Sequence, residues 1–140
     1  MKNIILLLPY FTLLLGATFP GKPASRKITL KQAEALVMAS LSPQQRSLPK
    51  VEAEHFDNPG KTSARFLFFT VVWEGLPNGS VVVGNYAVDP YTGDVFSTTQ
   101  ECYEEKNKRL EALQAQLRAQ LHLSPSVYQR LKTKGPLCEE

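Results

Sequence analysis

A run from Ser63 to Trp73 carries aromatic and β-branched residues at both parities, and a second such run extends from Ser80 to Val88. In the first, Phe66, Phe68 and Val72 share one face of an extended chain, while Leu67, Phe69, Val71 and Trp73 share the other. A strand apolar on both faces is central in its sheet or covered on both sides. Leu76-Pro77-Asn78-Gly79 lies between the runs, and Asn-Gly accepts the positive φ angles of a tight hairpin, so the chain is expected to double back there. Gly84 inside the second run signals a bulge or a close backbone approach. A further turn, Asp89-Pro90-Tyr91-Thr92-Gly93-Asp94, leads into a short strand at Val95 and Phe96. Upstream, Val51 to Phe56 alternates in polarity and stops at Asp57-Asn58-Pro59-Gly60, which reads as a half-buried or edge strand. The sum is an antiparallel meander of three or four strands.

Helical signals flank the meander. Thr29 and Gln32 stand in capping-box relation, Ile28 holds the staple position, and Ala33, Leu36, Val37 and Leu41 recur at helical spacing before Ser42-Pro43. The stretch from Ser42 to Lys50 reads as a connection. Ser97, Thr98 and Thr99 offer caps for a second, long helix with Glu101, Glu104 and Glu105 in its first turns. Its apolar stripe is Leu110, Leu113, Leu117 and Leu121, with Lys106, Lys108, Arg109, Gln114, Gln116 and Arg118 on the wet faces. Ser124-Pro125 starts a short final helix with Val127, Tyr128 and Leu131 inward and Gly135 at its end. The expected class is α+β, the sheet packed by an N-terminal helix and a long C-terminal helix.

The chain opens with Lys2 and an apolar stretch from Ile4 to Leu15, too short for a membrane span, followed by Gly16-Ala17 and Pro20-Gly21. Residues 1–17 are therefore expected to be a secretory signal peptide, its cleavage site not settled by the residues, with 18–27 a flexible entry and 28–140 one domain. About 120 residues suffice for one modest core. The net charge of +3, with both signs interspersed, does not point to nucleic acid. Export places Cys102 and Cys138 in an oxidising compartment, where they are expected to pair.

Chemical signatures are sparse. His55 and His122 have no short-spaced ligand partners, so neither metal nor another cofactor is expected. The sequence holds no phosphate-binding Gly-rich loop, no Gly-x-Ser-x-Gly and no His-Glu-x-x-His. Glu52 and Glu54 as an acid–base pair, or Cys102 as a thiolate with His55 or His122 as base, are the catalytic alternatives to alternate solvent-facing residues and a cystine. Trp73, Glu74 and Leu76, at a hairpin end beside Pro77, form a candidate recognition edge, with Trp73 as a cap on the core the alternative reading. Tyr91, in the following turn, joins these as a candidate partner-binding residue.

Ile28-Thr29-Leu30-Lys31-Gln32-Ala33 and Tyr86-Ala87-Val88-Asp89-Pro90-Tyr91-Thr92-Gly93-Asp94-Val95 resemble the two ends of the PepSY-like module of exported bacterial proteins, over residues 28–97. The resemblance implies a PepSY-like or cystatin-like sheet-and-helix fold and non-catalytic binding in the cell envelope, including restraint of envelope hydrolases. The long helix and the cystine lie outside that pattern. The resulting expectation is a periplasmic or secreted binding protein, an inhibitor or immunity-type protein of an envelope-acting enzyme. The alternatives are a structural or sensory envelope module docking through the Leu110 to Leu121 helix, and a small enzyme with an unrecognised site.

Overall fold

The computed structural model describes residues 26–57, 64–75, 79, 81–99 and 102–136. Residues 1–17, expected to be a signal peptide, the expected hairpin tip with Leu76, and Cys138 lie outside the described residues. In chain order the elements are α1 (Leu30–Ser40), α2 (Pro43–Arg46), β1 (Glu52–Phe56), β2 (Leu67–Val72), β3 (Val82–Val88), β4 (Val95–Ser97), β5 (Tyr103–Glu104), α3 (Lys108–Gln120) and α4 (Pro125–Leu131). The strands form one antiparallel sheet in the order β1-β2-β3-β4-β5, with five strands where the sequence suggested three or four.

Local chemistry explains α1. The Thr29 hydroxyl accepts from the Gln32 amide and the Gln32 side chain accepts from the Thr29 amide, so two otherwise orphaned donors are satisfied. The helix stops at Leu41, whose extended backbone suits the residues leading to Pro43. There the expectation of a plain connection is corrected. Ser42 and Gln45 build a second capping box, Pro43 fills the first helical position, and one turn of helix results.

A larger correction concerns residues 97 to 107. The helix expected from Ser97 to Thr99 does not start there, because the backbone is already committed to the sheet. Ser97 pairs with Tyr86, and the Thr98 amide donates to Asn85 at 2.9 Å. Tyr103 then returns against Ser97, and the Glu105 amide reaches the Val95 carbonyl at 2.8 Å, which makes β5. The helix is capped instead by Asn107. Its Oδ1 accepts from Leu110, while its Nδ2 donates to the carbonyls of Ala39 and Ser40, tying the start of α3 to the end of α1.

Strand alternation sorts the side chains onto two faces. Phe69 and Val71 of β2, Tyr86 and Val88 of β3 and Val95 of β4 pack with Leu36 and Val37 of α1 and with Leu110 and Leu117 of α3. Each such large apolar side chain, fully buried, contributes roughly 1.5–3 kcal/mol. Phe68, Ala87 and Phe96, with Phe66 against them, form a smaller cluster on the opposite face. The C-terminal tail comes back over it: a Cβ on Gly135, which has φ +98°, would lie 2.7 Å from the Phe96 ring. Gly135 is needed there both for its backbone angle and for that close approach. Gly84 marks the expected bulge, since Val71 pairs with Gly84 and Val72 with Val82, leaving Val83 as the extra residue.

The turn between β3 and β4 is the most polar part of the interior. Asp89, Thr92 and Asp94 are all buried. Asp89 caps the turn by accepting from the Tyr91 amide, Gly93 takes φ +74°, and Arg65 binds the Asp89 carboxylate at 2.6 Å. Arg118 binds Asp94 at 2.7 Å and also donates to the Thr92 carbonyl, while the Tyr128 hydroxyl donates to Asp94. Gln114 donates to the Gly93 carbonyl. Gln114 and Arg118, expected on the wet face of α3, therefore turn inward to serve this turn. Tertiary demand overrides the apolar pattern at those two positions.

Candidate partner-binding site

The four residues singled out on sequence do not form one site. Trp73 follows β2 and is half-buried, its amide donating to the Val81 carbonyl at 2.9 Å to hold the start of the hairpin. Glu74 is exposed, ion-pairs with Lys50 at 2.7 Å and donates its amide to the Pro49 carbonyl. Leu76 lies outside the described residues. Tyr91 is at the other end of the sheet, because Leu67, at the start of β2, pairs with Val88 just before Tyr91's turn. Its ring is flanked by Lys27 at 4.9 Å and Arg65 at 5.2 Å, in cation–π contact. Lys27, Arg65 and Tyr91 with Ala64 and Leu131 line a cleft of about 350 Å³ in which Arg65 is already held by Asp89.

The alternatives built on chemistry separate in the same way. Glu52 and Glu54 are exposed on β1. His55 is also on β1, at the opposite edge of the sheet from β5, which follows Cys102 directly. Four strand spacings, roughly 19 Å, separate those edges. Among the described residues no group of three His, Cys, Asp or Glu side chains is placed to hold a metal. On α3, Leu110 and Leu117 are buried, and Leu113 and Leu121 pack against the same core. The stripe that would have docked a partner is spent inside the domain.

A cleft missed by sequence reasoning lies where α2 meets the far end of the sheet. Gln45, Gly84, Tyr86, Ser97, Thr99 and Tyr103, with Val83, enclose about 240 Å³. The β3–β4–β5 register assembles it: Tyr86 pairs with Ser97, and Ser97 pairs with Tyr103. Gly84 keeps it open on one side, since a Cβ there would stand 3.2 Å from the Tyr86 ring and 3.3 Å from the Thr99 hydroxyl. Thr99 Oγ1 accepts from the Asn85 amide, and Gln45 of α2 lines the cleft with Tyr86. Glu105, two residues after Tyr103, is half-buried, and its charge bears on Tyr86. No sequence period links residues from α2, β3, β4 and β5, so only their pairing reveals the site.

Burial pushes the Tyr86 hydroxyl up to about 12, with the nearby Glu105 charge and Tyr103 adding to the effect. A raised acid is favoured neutral in the folded state, so its contribution to stability is complete below the ordinary tyrosine value of about 10 and fades as pH rises toward 12. Burial also raises Tyr128, so absorbance titration near 295 nm is expected to show more than one late-ionising tyrosine, and Tyr86→Phe should remove the phase near pH 12. Persistence of the phase near pH 12 in Tyr86→Phe would place the most strongly shifted hydroxyl elsewhere. Burial likewise raises the Glu105 carboxyl above the usual carboxylate range, the Tyr103 hydrogen bond opposing it.

No protein-family model matches the chain, and no curated protein matches it. Among solved structures it is similar to a chain of a type VI secretion system effector-immunity complex from Pseudomonas protegens, at 22% identity and a TM-score of 0.58. The likeness covers 81% of this chain and 92% of that chain. At that identity it is a likeness of fold, and it extends over nearly the whole of the other chain.

Proposed function

We propose that this is a non-catalytic binding protein of the immunity or inhibitor type, exported to the periplasm or beyond, which blocks an enzyme by occluding it. The observation that carries the reading is the fold shared with a chain of an effector–immunity complex. Two features of the domain agree with it. The buried Asp89 and Asp94 carboxylates and their part-exposed Arg65 and Arg118 partners are consumed in holding the β3–β4 turn, and the apolar stripe of α3 is consumed in the core. What the surface offers instead is a sheet edge with a polar cleft, a shape suited to recognition rather than turnover. We place the PepSY-like resemblance at the level of scaffold within this proposal, because the Asp89 to Asp94 turn faces its own helices.

The test is competition. A strain lacking the gene is expected to lose to its parent when the two grow in contact and to hold its own when contact is prevented, with the full-length gene restoring survival. Mature protein should retain one envelope-acting enzyme in stoichiometric amount and abolish its activity when mixed at equal concentration. Equal fitness in contact together with no retained enzyme would overturn the reading.

A further inference from the structure

We infer that the cleft lined by Lys27, Arg65 and Tyr91, beside the β3–β4 turn, is a receptor for a carboxylate, the acidic side chain of a partner protein. The inference rests on the binding-protein reading above for the source of the carboxylate, and on the following geometry for the site. The buried turn organises each of the three residues. The Ile28 amide donates to the Pro90 carbonyl at 2.9 Å and Ile28 itself is buried, which anchors the backbone next to Lys27. Arg65 donates from Nε and Nη2 to Asp89 Oδ2 and from Nη2 to the Leu131 carbonyl, so its guanidinium is held by two elements. Asp89 Oδ1 accepts from the Tyr91 amide, and the Tyr91 ring makes cation–π contacts with both Lys27 and Arg65. Groups fixed in this way before a ligand arrives lose little freedom when it binds.

The charges lining the cleft do not cancel. Asp89 is 0% exposed and balances Arg65, whereas Lys27 forms no ion pair among the described residues. Arg65 Nη1 and the Tyr91 hydroxyl likewise make no hydrogen bond among those residues, so three donors remain for a ligand. The surplus of one positive charge matches a carboxylate, and falls short of the roughly −1.5 to −2 of a phosphate monoester. A volume of about 350 Å³ exceeds what a carboxylate alone fills, and Ala64, Leu131 and the Tyr91 ring offer apolar surface for the methylene stem of a glutamate. Within this proposal Tyr91 keeps the partner-binding role that its turn suggested, with Lys27 and Arg65 for neighbours in place of Trp73 and Glu74.

The test titrates N-acetyl-glutamate α-amide, whose only charge is the side-chain carboxylate, into the full mature protein at pH 7 and follows amide NMR shifts. Saturable shifts are expected at Lys27, Arg65, Tyr91 and Leu131, and none with the neutral N-acetyl-glutamine amide. Lys27 is the informative position, because removing Arg65 would strand the buried Asp89. Binding should weaken about fivefold in Lys27→Gln, the upper range for a solvent-accessible ion pair. It should be unchanged in Lys108→Gln, which lies at the start of α3 beside the far end of α1, roughly 16 Å of helix away. Undiminished binding in Lys27→Gln, shifts reproduced by sodium chloride, or no saturable shift at all would overturn the site. Tighter binding of inorganic phosphate would reverse the assignment to a carboxylate, and equally tight binding of acetate would assign the cleft to a small free anion in place of a protein side chain. None of these outcomes depends on capture of a partner enzyme, so failure of the cleft and failure of the binding-protein reading are distinguishable.

Discussion

Replacing Asp94 by Ala is expected to destabilise the domain by about 3 kcal/mol, the cost of leaving one half of a buried ion pair without the other. Three donors converge on this carboxylate: Arg118 at 2.7 Å, the Thr92 hydroxyl at 2.9 Å and the Tyr128 hydroxyl at 3.0 Å. Asp94 is 1% exposed and the Arg118 side chain 24%, so water can rescue the arginine only in part. Asp94→Asn keeps the shape and one acceptor and should cost less, about 1–2 kcal/mol. Pairing Asp94→Ala with Arg118→Met should recover part of the loss, because the stranded cation is then gone. Urea unfolding at pH 7 measures all three. A loss below about 1 kcal/mol for Asp94→Ala would mean that the turn is held mainly by its backbone and not by the clasp from α3 and α4.

Cys102→Ser is expected to cost about 4 kcal/mol if Cys102 is joined to Cys138, since a loop of roughly 36 residues is released in the unfolded chain. Cys102 stands half-buried directly before β5, and the tail that leads to Cys138 packs Gly135 on Phe96 of the neighbouring strand β4. Docking of the tail and closure of the loop thus favour the same arrangement. Reduction of the wild type should lower its unfolding midpoint by the same amount as Cys102→Ser, and reduction should leave the variant unchanged. Two free thiols in unreduced, unfolded protein would sink the pairing.

The N-terminal helix, the bulge at Gly84 and the turn at Asp89 to Asp94 were legible in the sequence because each is governed by neighbours a few residues away. Thr29 and Gln32 cap each other across three positions, and Gly93 alone takes the angle its turn needs. The same logic misled at Ser97 to Thr99. Those residues are good caps in isolation, but the ladder to Asn85 and Tyr86 claims their backbone first, and Asn107 starts the helix at a place where it can also hold α1. Gln114 and Arg118 look solvated in a helical projection, yet the buried turn recruits both.

By itself, then, the sequence determined the class of the fold, the order of helices around an antiparallel sheet, and the local caps and turns, because these depend on short-range stereochemistry and on polar–apolar period. Only the tertiary structure decided that β5 exists, that the candidate residues Trp73 and Tyr91 stand at opposite ends of the sheet, and that Gln45, Tyr86, Thr99 and Tyr103 enclose one cleft. Such a site is made by strand register and by which charges find partners. Both are sums over contacts between residues far apart in the chain, which no local pattern records.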